Sequence, residues 1–328
     1  MSALQRELLK EQLPPIPLSS RSTPKPLEKS SLQVEPWQTY FERAHDLAVF
    51  GGYERTTIRV YSSGEATKSP LTFVLLHGAG MTSLSWACCA KTLATTDRVV
   101  AIDFRGHGQS TSPDNHDMSI GTLVSDIQKV LKMLETPEYG EHKQIIMVGH
   151  SAGGAVACRV AEANAERKTI VGLVVMDVVE GTALAALPEM HSIIEKRPTT
   201  FSTLQDAIYW SVQSGMIKNV ESAQVSIPDQ LIQDKETNQY KWQVDLAGTE
   251  KHWEQWFRGL SKCFLGVGVP KILALAGTDR LDTPLTVAQM QGKFQMLILP
   301  ACGHCIQEDQ PQLVARKLLA FKRRYKFG

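Results

Sequence analysis

A serine framed by glycines is the clearest candidate for chemistry in this sequence. Ser151 follows an apolar run at 144–148 and lies between Gly149 and Gly153 in the pattern Gly-x-Ser-x-Gly. Small residues at these two positions allow a turn so tight that the serine hydroxyl stands clear of the backbone. A helix predicted over 154–166 would direct its amide groups and its positive dipole end at the serine oxygen. The context favours a nucleophile elbow, with Ser151 as the nucleophile, over an ordinary strand-to-helix turn.

A serine hydroxyl needs a base to take its proton, and the base needs an acid to orient it. In hydrolases built on such an elbow the chain order is serine, acid, histidine, which leaves His191, His252 and His304 as candidates. Only His304 lies in a loop directly after a predicted core strand, whereas the other two lie in a helical region. We therefore predict that His304 is the general base.

Two aspartates could serve as the acid. Asp177 ends one predicted strand, twenty-six positions after Ser151, and Asp279 follows the next core strand in a turn of small residues. Because the carboxyl ends of neighbouring parallel strands meet at one edge of a sheet, either carboxylate could reach the imidazole N–H. The residues alone leave this choice open.

The oxyanion of a tetrahedral intermediate needs two backbone donors, one after the nucleophile and one in the loop after an early strand. Ala152 and Ala79 fit these descriptions, and Ala79 lies in the small-residue loop 77–80. Which amide of that loop points inward stays open. The loop 103–110 also combines glycines with charged and polar residues, but it is typical of a structural turn, so we assign it no chemistry.

The segment Cys302-Gly303-His304-Cys305 offers a rival role for the histidine, because two cysteines with this spacing spell a dithiol redox motif. Such motifs normally open a helix in a small thioredoxin-like domain, whereas this one follows a strand late in a large chain. Zinc binding is also disfavoured, since the three side chains lack an obvious fourth ligand. We predict that no metal or cofactor takes part and that both cysteines are bystanders.

The surrounding pattern alternates strands with helices. Strands are predicted at 56–61, 71–76, 98–102, 144–149, 170–176, 271–276 and 294–299, and helices at 84–93, 120–134, 154–166 and around Val314, Leu318 and Phe321. Alternation of this kind predicts an α/β fold with a mainly parallel central sheet and helices on both faces. The interval 182–265 contains helical patterns and no convincing buried strand, and we interpret it as a mostly helical cap over the carboxyl ends of the strands.

Composition and length exclude several classes of protein. The chain has 328 residues, a formal net charge of +1 and mixed charges, which argues against a nucleic-acid partner. It has no long apolar segment or signal peptide, so we expect a soluble protein that does not bind membranes, located in the cytoplasm, with the nucleus as the alternative. Residues 1–36 are rich in proline and polar residues and predict a disordered arm, while 37–328 predict the globular domain.

Longer runs carry a more specific resemblance. The elbow, His304, the loop 103–110 and the pair His77-Gly78 resemble the α/β-hydrolase superfamily across 55–326. Further runs resemble the protein phosphatase methylesterases; they are Met176 to Ala183, Arg197-Pro198 with Phe201, Tyr209 to Gly215, Trp256 to Leu260, Ala276 to Asp282, Gln289 to Met296 and Pro36 to Phe41. Two departures are Ala152, where the family is expected to have methionine, and a short stretch at 226–241.

The resemblance implies an α/β-hydrolase fold and a serine carboxylesterase that acts without a cofactor. It implies that the partner and substrate is the type 2A protein phosphatase catalytic subunit, whose carboxy-terminal leucine methyl ester is hydrolysed to a carboxylate and methanol. It also places the acid at Asp177 and leaves Asp279 a supporting role. The alternatives are a hydrolase of small esters or lipids with the same fold, and a binding protein without enzymatic activity on this fold.

Overall fold

The computed structural model describes residues 27–51, 54–136, 143–277 and 281–328. Its β-strands are β1 (Arg43–Gly51), β2 (Glu54–Ser63), β3 (Leu71–Leu76), β4 (Arg98–Ile102), β5 (Gln144–His150), β6 (Ile170–Met176), β7 (Thr200–Phe201), β8 (Leu231–Gln233), β9 (Tyr240–Trp242), β10 (Lys271–Leu275) and β11 (Gln295–Ile298). Eight of them form one sheet in the order β1-β2-β4-β3-β5-β6-β10-β11. Within this sheet, β4, β3, β5, β6, β10 and β11 are parallel to one another. Strands β1 and β2 are antiparallel additions at one edge. The predicted mainly parallel sheet is confirmed.

Helices cover both faces of the sheet. The α-helices are α1 (Ala87–Leu93), α2 (Ile120–Leu134), α3 (Ala152–Ala163), α4 (Glu180–Ala186), α5 (Met190–Glu195), α6 (Leu204–Gln213), α7 (Val220–Asp229), α8 (Glu250–Phe257), α9 (Leu260–Gly266), α10 (Thr283–Met290), α11 (Ile306–Asp309) and α12 (Pro311–Tyr325). Helices α1 and α12 pack on one face, and α2, α3, α8 and α9 pack on the other. None of the helices in the described ranges has the length and apolar character that a bilayer crossing requires.

Strand β3 shows why the sheet needs a layer of helices on each face. All six of its residues are buried, and successive side chains of a strand point to opposite faces. Phe73 and Leu75 accordingly belong to the apolar cluster under α1 and α12, whereas Val74 and Leu76 belong to the cluster under α2 and α3. A strand buried on both faces reads as a continuous apolar run.

The stretch 182–265, which we call the cap, lies between β6 and β10. It contains most of α4, then α5 to α9, and the three strands β7, β9 and β8, which form a separate small antiparallel sheet. This sheet was not predicted, because its strands are only two or three residues long. The apolar side chains Trp253 and Trp256 of α8 join the same cluster as β6 and α3, so the cap is continuous with the sheet's core.

The predicted arm, 1–36, lies partly outside the described residues, which begin at 27. Residues 27–36 contact the cap: Leu32 is 3% exposed and belongs to a cluster with cap residues such as Ile208. The backbone N–H of Glu35 also donates to the Gln224 carbonyl in α7 at 3.1 Å. This last part of the predicted arm therefore packs on the protein.

Candidate active site

Ser151 is the single residue between the end of β5 and the start of α3. Its backbone has φ 52° and ψ −123°, a conformation that a residue with a side chain rarely adopts. A Cβ on Gly149 would lie 2.2 Å from the Gly153 carbonyl oxygen, and one on Gly153 would lie 2.3 Å from that of His77. Only glycine fits at either position, and the Ser151 N–H donates to the Met176 carbonyl of β6 at 2.9 Å. The predicted elbow geometry is present.

The first turn of α3 directly follows the serine. The helix begins at Ala152, and the Ser151 carbonyl accepts hydrogen bonds from Gly154 at 2.8 Å and Ala155 at 3.3 Å. The first amides of any helix have no acceptor within the helix. The Ala152 amide is one of these, so it is positioned to donate to an anion next to Ser151.

Asp177 and His304 lie side by side at the carboxyl ends of the strands. Asp177 directly follows β6, and its Oδ2 accepts a hydrogen bond from His304 Nδ1 at 2.8 Å. Its Oδ1 accepts from the Ala276 N–H at 2.9 Å. Burial acts to raise the pKa of Asp177, but the hydrogen bond and charge of His304 outweigh burial, so the pKa is lowered. The carboxylate therefore stays ionised and holds the imidazole by Nδ1, which leaves Nε2 to take a proton.

His304 also lies next to the residue that precedes the serine. The rings of His150 and His304 are 4.6 Å apart, and His150 Nε2 donates to the His304 carbonyl at 2.8 Å. The His304 side chain is 58% exposed. Among the described residues Ser151 Oγ has no hydrogen-bond partner, so no hydrogen bond joins it to His304 in this state. Such contacts often tighten only when substrate is bound.

The other candidates have different surroundings. Asp279 falls outside the described residues, so the structure gives no position for the alternative acid. His191 pairs with Glu250 at 3.0 Å, and His252 bonds Gln255 at 2.7 Å, both within the cap. Among the described residues, His304 is the one candidate histidine that contacts a carboxylate at the strand ends.

The loop 77–80 is held by two buried histidines. Gly80 N–H donates to His107 Nε2 at 3.0 Å, and Phe104 N–H donates to His77 Nε2 at 3.0 Å. Burial lowers the pKa of His107 to about 4 and that of His77 well below its ordinary value, so both rings stay neutral and can accept these bonds. Because the Gly80 amide already has an acceptor, Ala79 stays the candidate oxyanion donor in this loop.

The loop 103–110, to which the sequence assigned no chemistry, therefore supports the site. Besides His107, its Asp103 accepts a hydrogen bond from the Ser83 N–H at 2.7 Å, just beyond the loop 77–80. A Cβ on Gly108 would lie 2.3 Å from the Asp103 carboxylate. In the sequence, the histidine and glycines of the loop 103–110 were the only signal of this role. The sequence did not show that the loop packs against the loop 77–80.

Ala79 and Ala152 both line a cleft between the core and the cap. It has about 280 Å³ of empty space, open solvent included, and its lining comes from the core and the cap: Ala79, Phe104, His107, Met118, Leu123, Ala152, Val244, Leu246, Thr249 and Trp256. A larger cleft of about 430 Å³ lies at the β1–β2 edge and contains none of the predicted site residues. We assign substrate binding to the smaller cleft because it adjoins the elbow.

The two cysteines near His304 do not resemble a reactive dithiol. Both are free; burial raises the pKa of Cys302 to about 11 and that of Cys305 well above its ordinary value. A reactive cysteine needs a lowered pKa. Among the described residues, no group of three or more His, Cys, Asp or Glu side chains is arranged to hold a metal ion.

Comparison with known proteins first gives the class. A family model described as the alpha/beta hydrolase family matches residues 73–317. The solved E-2-(acetamidomethylene)succinate hydrolase superposes with a TM-score of 0.67 at 16% identity, covering 85% of this chain and 99% of that one. A Mycobacterium tuberculosis esterase gives 0.62 at 20% identity, with 84% and 91% covered. The chain is an α/β hydrolase.

Curated relatives then give the particular family. The probable protein phosphatase methylesterase 1 of Caenorhabditis elegans is 42% identical, covering 99% of this chain and 87% of its own. The protein phosphatase methylesterase 1 of Mus musculus is 39% identical, with 100% and 97% covered. The chain belongs to the protein phosphatase methylesterase family, as its resemblance predicted, and is an ester hydrolase.

Proposed function

We propose that this protein is a serine carboxylesterase that demethylates the carboxy-terminal leucine of the type 2A protein phosphatase catalytic subunit. The observation that carries the proposal is the Asp177–His304 pair, with atoms 2.8 Å apart, beside the strained Ser151 elbow. Full-length similarity to the methylesterases directs this chemistry to a methylated phosphatase. The cysteines are free, which supports a location in the reducing environment of the cytoplasm.

In the proposed mechanism Ser151 Oγ attacks the ester carbonyl while His304 Nε2 takes the hydroxyl proton. The ionised Asp177 stabilises the imidazolium that forms. The amides of Ala79 and Ala152 donate to the oxyanion of the tetrahedral intermediate. His304 then gives its proton to the leaving methoxide, methanol departs, and an acyl-enzyme remains.

Water completes the reaction. His304 takes a proton from water, the resulting hydroxide attacks the acyl-enzyme, and the C–O bond to Ser151 breaks. The proton returns to Ser151 Oγ, and the peptide leaves with a free carboxylate. Each bond that forms is balanced by one that breaks, so the cycle needs neither metal nor redox cofactor.

The cleft suits a substrate that ends in leucine. Its side chains are mostly apolar, with Met118, Leu246 and Trp256 among them, and apolar surface favours an aliphatic group over a charged one. Leu246 belongs to the cap, so the cap contributes directly to this specificity.

The test is incubation of the protein with carboxymethylated phosphatase catalytic subunit while methanol release is measured. We expect turnover with wild type and a loss of several orders of magnitude with Ser151→Ala, because the members of a catalytic triad act as a unit. A fluorophosphonate probe should label wild type and not Ser151→Ala. Hydrolysis of small esters without methanol release from the subunit would indicate a generic hydrolase, and absence of any labelling would indicate a binding protein.

A further inference from the structure

The loop that carries His304 is held at its backbone by three different parts of the protein. The Ala301 carbonyl accepts a hydrogen bond from Lys218 Nζ of the cap at 2.8 Å. The Gly303 N–H donates to Asp309 Oδ2 of α11 at 2.5 Å. His150 Nε2 of the elbow strand donates to the carbonyl of His304 itself, as described above. The backbone around the base is thus fixed from the cap, from α11 and from the nucleophile's strand.

Asp309 has a second partner, which joins two of these parts. Its Oδ1 accepts a hydrogen bond from the backbone N–H of Lys218 at 2.7 Å, while Oδ2 accepts from Gly303. The side chain is nearly buried, with 9% exposed. A buried carboxylate needs such donors, and hydrogen bonds to a charged acceptor are stronger than neutral ones. The carboxylate therefore bridges the cap backbone to the loop, one residue before His304.

We propose that Asp309 is a positioning residue for His304, through which the cap segment at Lys218 determines where the base lies. The inference rests on the proposed function, because it takes His304 as the general base. His304 is largely exposed and has no hydrogen bond from Ser151, so its position depends on Asp177 and on its own backbone. Without the bridge, the loop is free to move the imidazole away from Asp177.

The decisive variant is Asp309→Asn. Asparagine has nearly the same shape, but its NH₂ group must face one of the two N–H donors, so one hydrogen bond is replaced by a clash of donors. On p-nitrophenyl acetate we expect kcat to fall about ten- to a hundredfold, because small misplacements of a catalytic group have effects of this size. KM should stay within about twofold, since Asp309 touches no substrate.

The matched control is Asp234→Asn. Asp234 also accepts hydrogen bonds from two backbone amides, those of Glu236 at 3.0 Å and Thr237 at 3.1 Å, but it lies in the cap turn between β8 and β9. It has no contact with the His304 loop among the described residues. We expect its rates to match wild type.

Two readouts separate positioning from loss of fold. For the fluorophosphonate reaction, Asp309→Asn should lower the labelling rate constant of the folded molecules, because a displaced imidazole takes the Ser151 proton less readily. On p-nitrophenyl acetate, the loss should fall on kcat and not on KM. A structural role alone would reduce only the fraction of molecules labelled. Lys218→Met removes the Ala301 bond from an exposed position, and we expect a smaller kcat loss of about two- to fivefold with KM unchanged.

A wild-type labelling rate and kcat in folded Asp309→Asn would overturn the inference. If Asp309→Asn does not fold, an unchanged labelling rate and kcat in Lys218→Met would do so. Failure of wild type to be labelled at Ser151 would instead overturn the proposed function, so the two failures are distinguishable.

Discussion

Three residues at the candidate site hold backbone conformations that non-glycine residues rarely adopt. Ser151, Asp177 and Ala301 have φ values of 52°, 51° and 71°. Each is held at its backbone by a hydrogen bond. The Ser151 N–H donates to the Met176 carbonyl, the Asp177 N–H donates to the Ala274 carbonyl at 2.7 Å, and the Ala301 carbonyl accepts from Lys218 Nζ. Such strain costs on the order of 1–3 kcal/mol per residue and persists only where the surroundings enforce it. Each of the three loops that carry the proposed triad contains one of these strained residues, which supports a functional role for the backbone strain.

The choice of acid gives the first prediction at this scale. Asp177→Asn keeps the shape of the side chain but removes the charge that orients His304 and stabilises the imidazolium. We expect turnover on methylated phosphatase to fall by roughly a thousandfold or more. Asp279→Asn, the matched control, should cost much less. The reverse ranking in two variants that melt like wild type would transfer the acid's role to Asp279.

The cysteines give a second prediction. Cys302 and Cys305 have raised pKa values, so at neutral pH they are thiols and take no part in proton transfer. The double variant Cys302→Ser/Cys305→Ser should keep most of its turnover, within about threefold, whereas His304→Ala should lose it. A double variant as inactive as His304→Ala would restore the redox interpretation, and thiol titration under reducing and oxidising conditions would then test it.

Local sequence pattern marks the candidate serine and histidine, but it does not mark the residues that support them. Ser151 is marked by its own glycines, and His304 by its place after a strand. His107 acts on Gly80, 27 positions away, and His150 acts on His304, 154 positions away. Pairings across such separations depend on the tertiary fold, so the supporting histidines could not be predicted.

At the scale of elements, the strands with continuous apolar sequence were predicted best. Strands β3, β4 and β6 have the predicted bounds, because residues buried on both faces leave no polar interruption. The edge strand β1 was missed: its buried Leu47 and Val49 alternate with polar or exposed neighbours in a short pattern. Helix α3 begins two residues earlier than predicted, since contacts at the elbow outweigh the weak helix propensity of Gly153 and Gly154.

Asp103 of the loop 103–110 and Asp229 of the cap helix α7 interact through their charges, and this interaction gives the next prediction. Burial, and then the charge of Asp229, raise the pKa of Asp103 from 3.8 to about 7; burial also raises the pKa of Asp229. Between pH 4 and 7 the folded protein therefore binds more protons than the unfolded chain. Stability should fall as pH rises through this window, and the loss is complete above about pH 7.

Asp229→Asn removes one of the two charges while preserving its shape. At pH 8 we expect its Tm to exceed that of wild type by about 2–4 °C, and the difference should shrink as pH falls below about 7, because protonation of Asp103 removes the repulsion between the two charges. Thermal melting across pH measures this directly. Asp234→Asn, an exposed cap variant whose carboxylate is held by Lys241 and backbone amides, should show no gain at pH 8. A Tm difference independent of pH would contradict the assignment.

At the scale of the whole molecule, the cap and the sheet form one body around the cleft. Trp253 and Trp256 of the cap share an apolar cluster with the sheet, while Val244 and Leu246 line the cleft beside Ala152. The cleft is small and mostly apolar, and a methyl group adds little binding energy. Discrimination among methyl esters must then come from contacts beyond the cleft, on the surface of the cap and the domain.

This argument predicts that the phosphatase body contributes to recognition. A methylated peptide with the sequence of the phosphatase tail should be hydrolysed with a kcat/KM about a hundredfold lower than that of the whole methylated subunit. Most of this loss should be a rise in KM, because the contacts that the peptide lacks are present in both the ground state and the transition state. The matched control is a small ester such as p-nitrophenyl acetate, whose turnover should be inhibited by the intact subunit at far lower concentration than by the peptide. Equal catalytic efficiency on peptide and subunit would show that the cleft alone recognises the substrate.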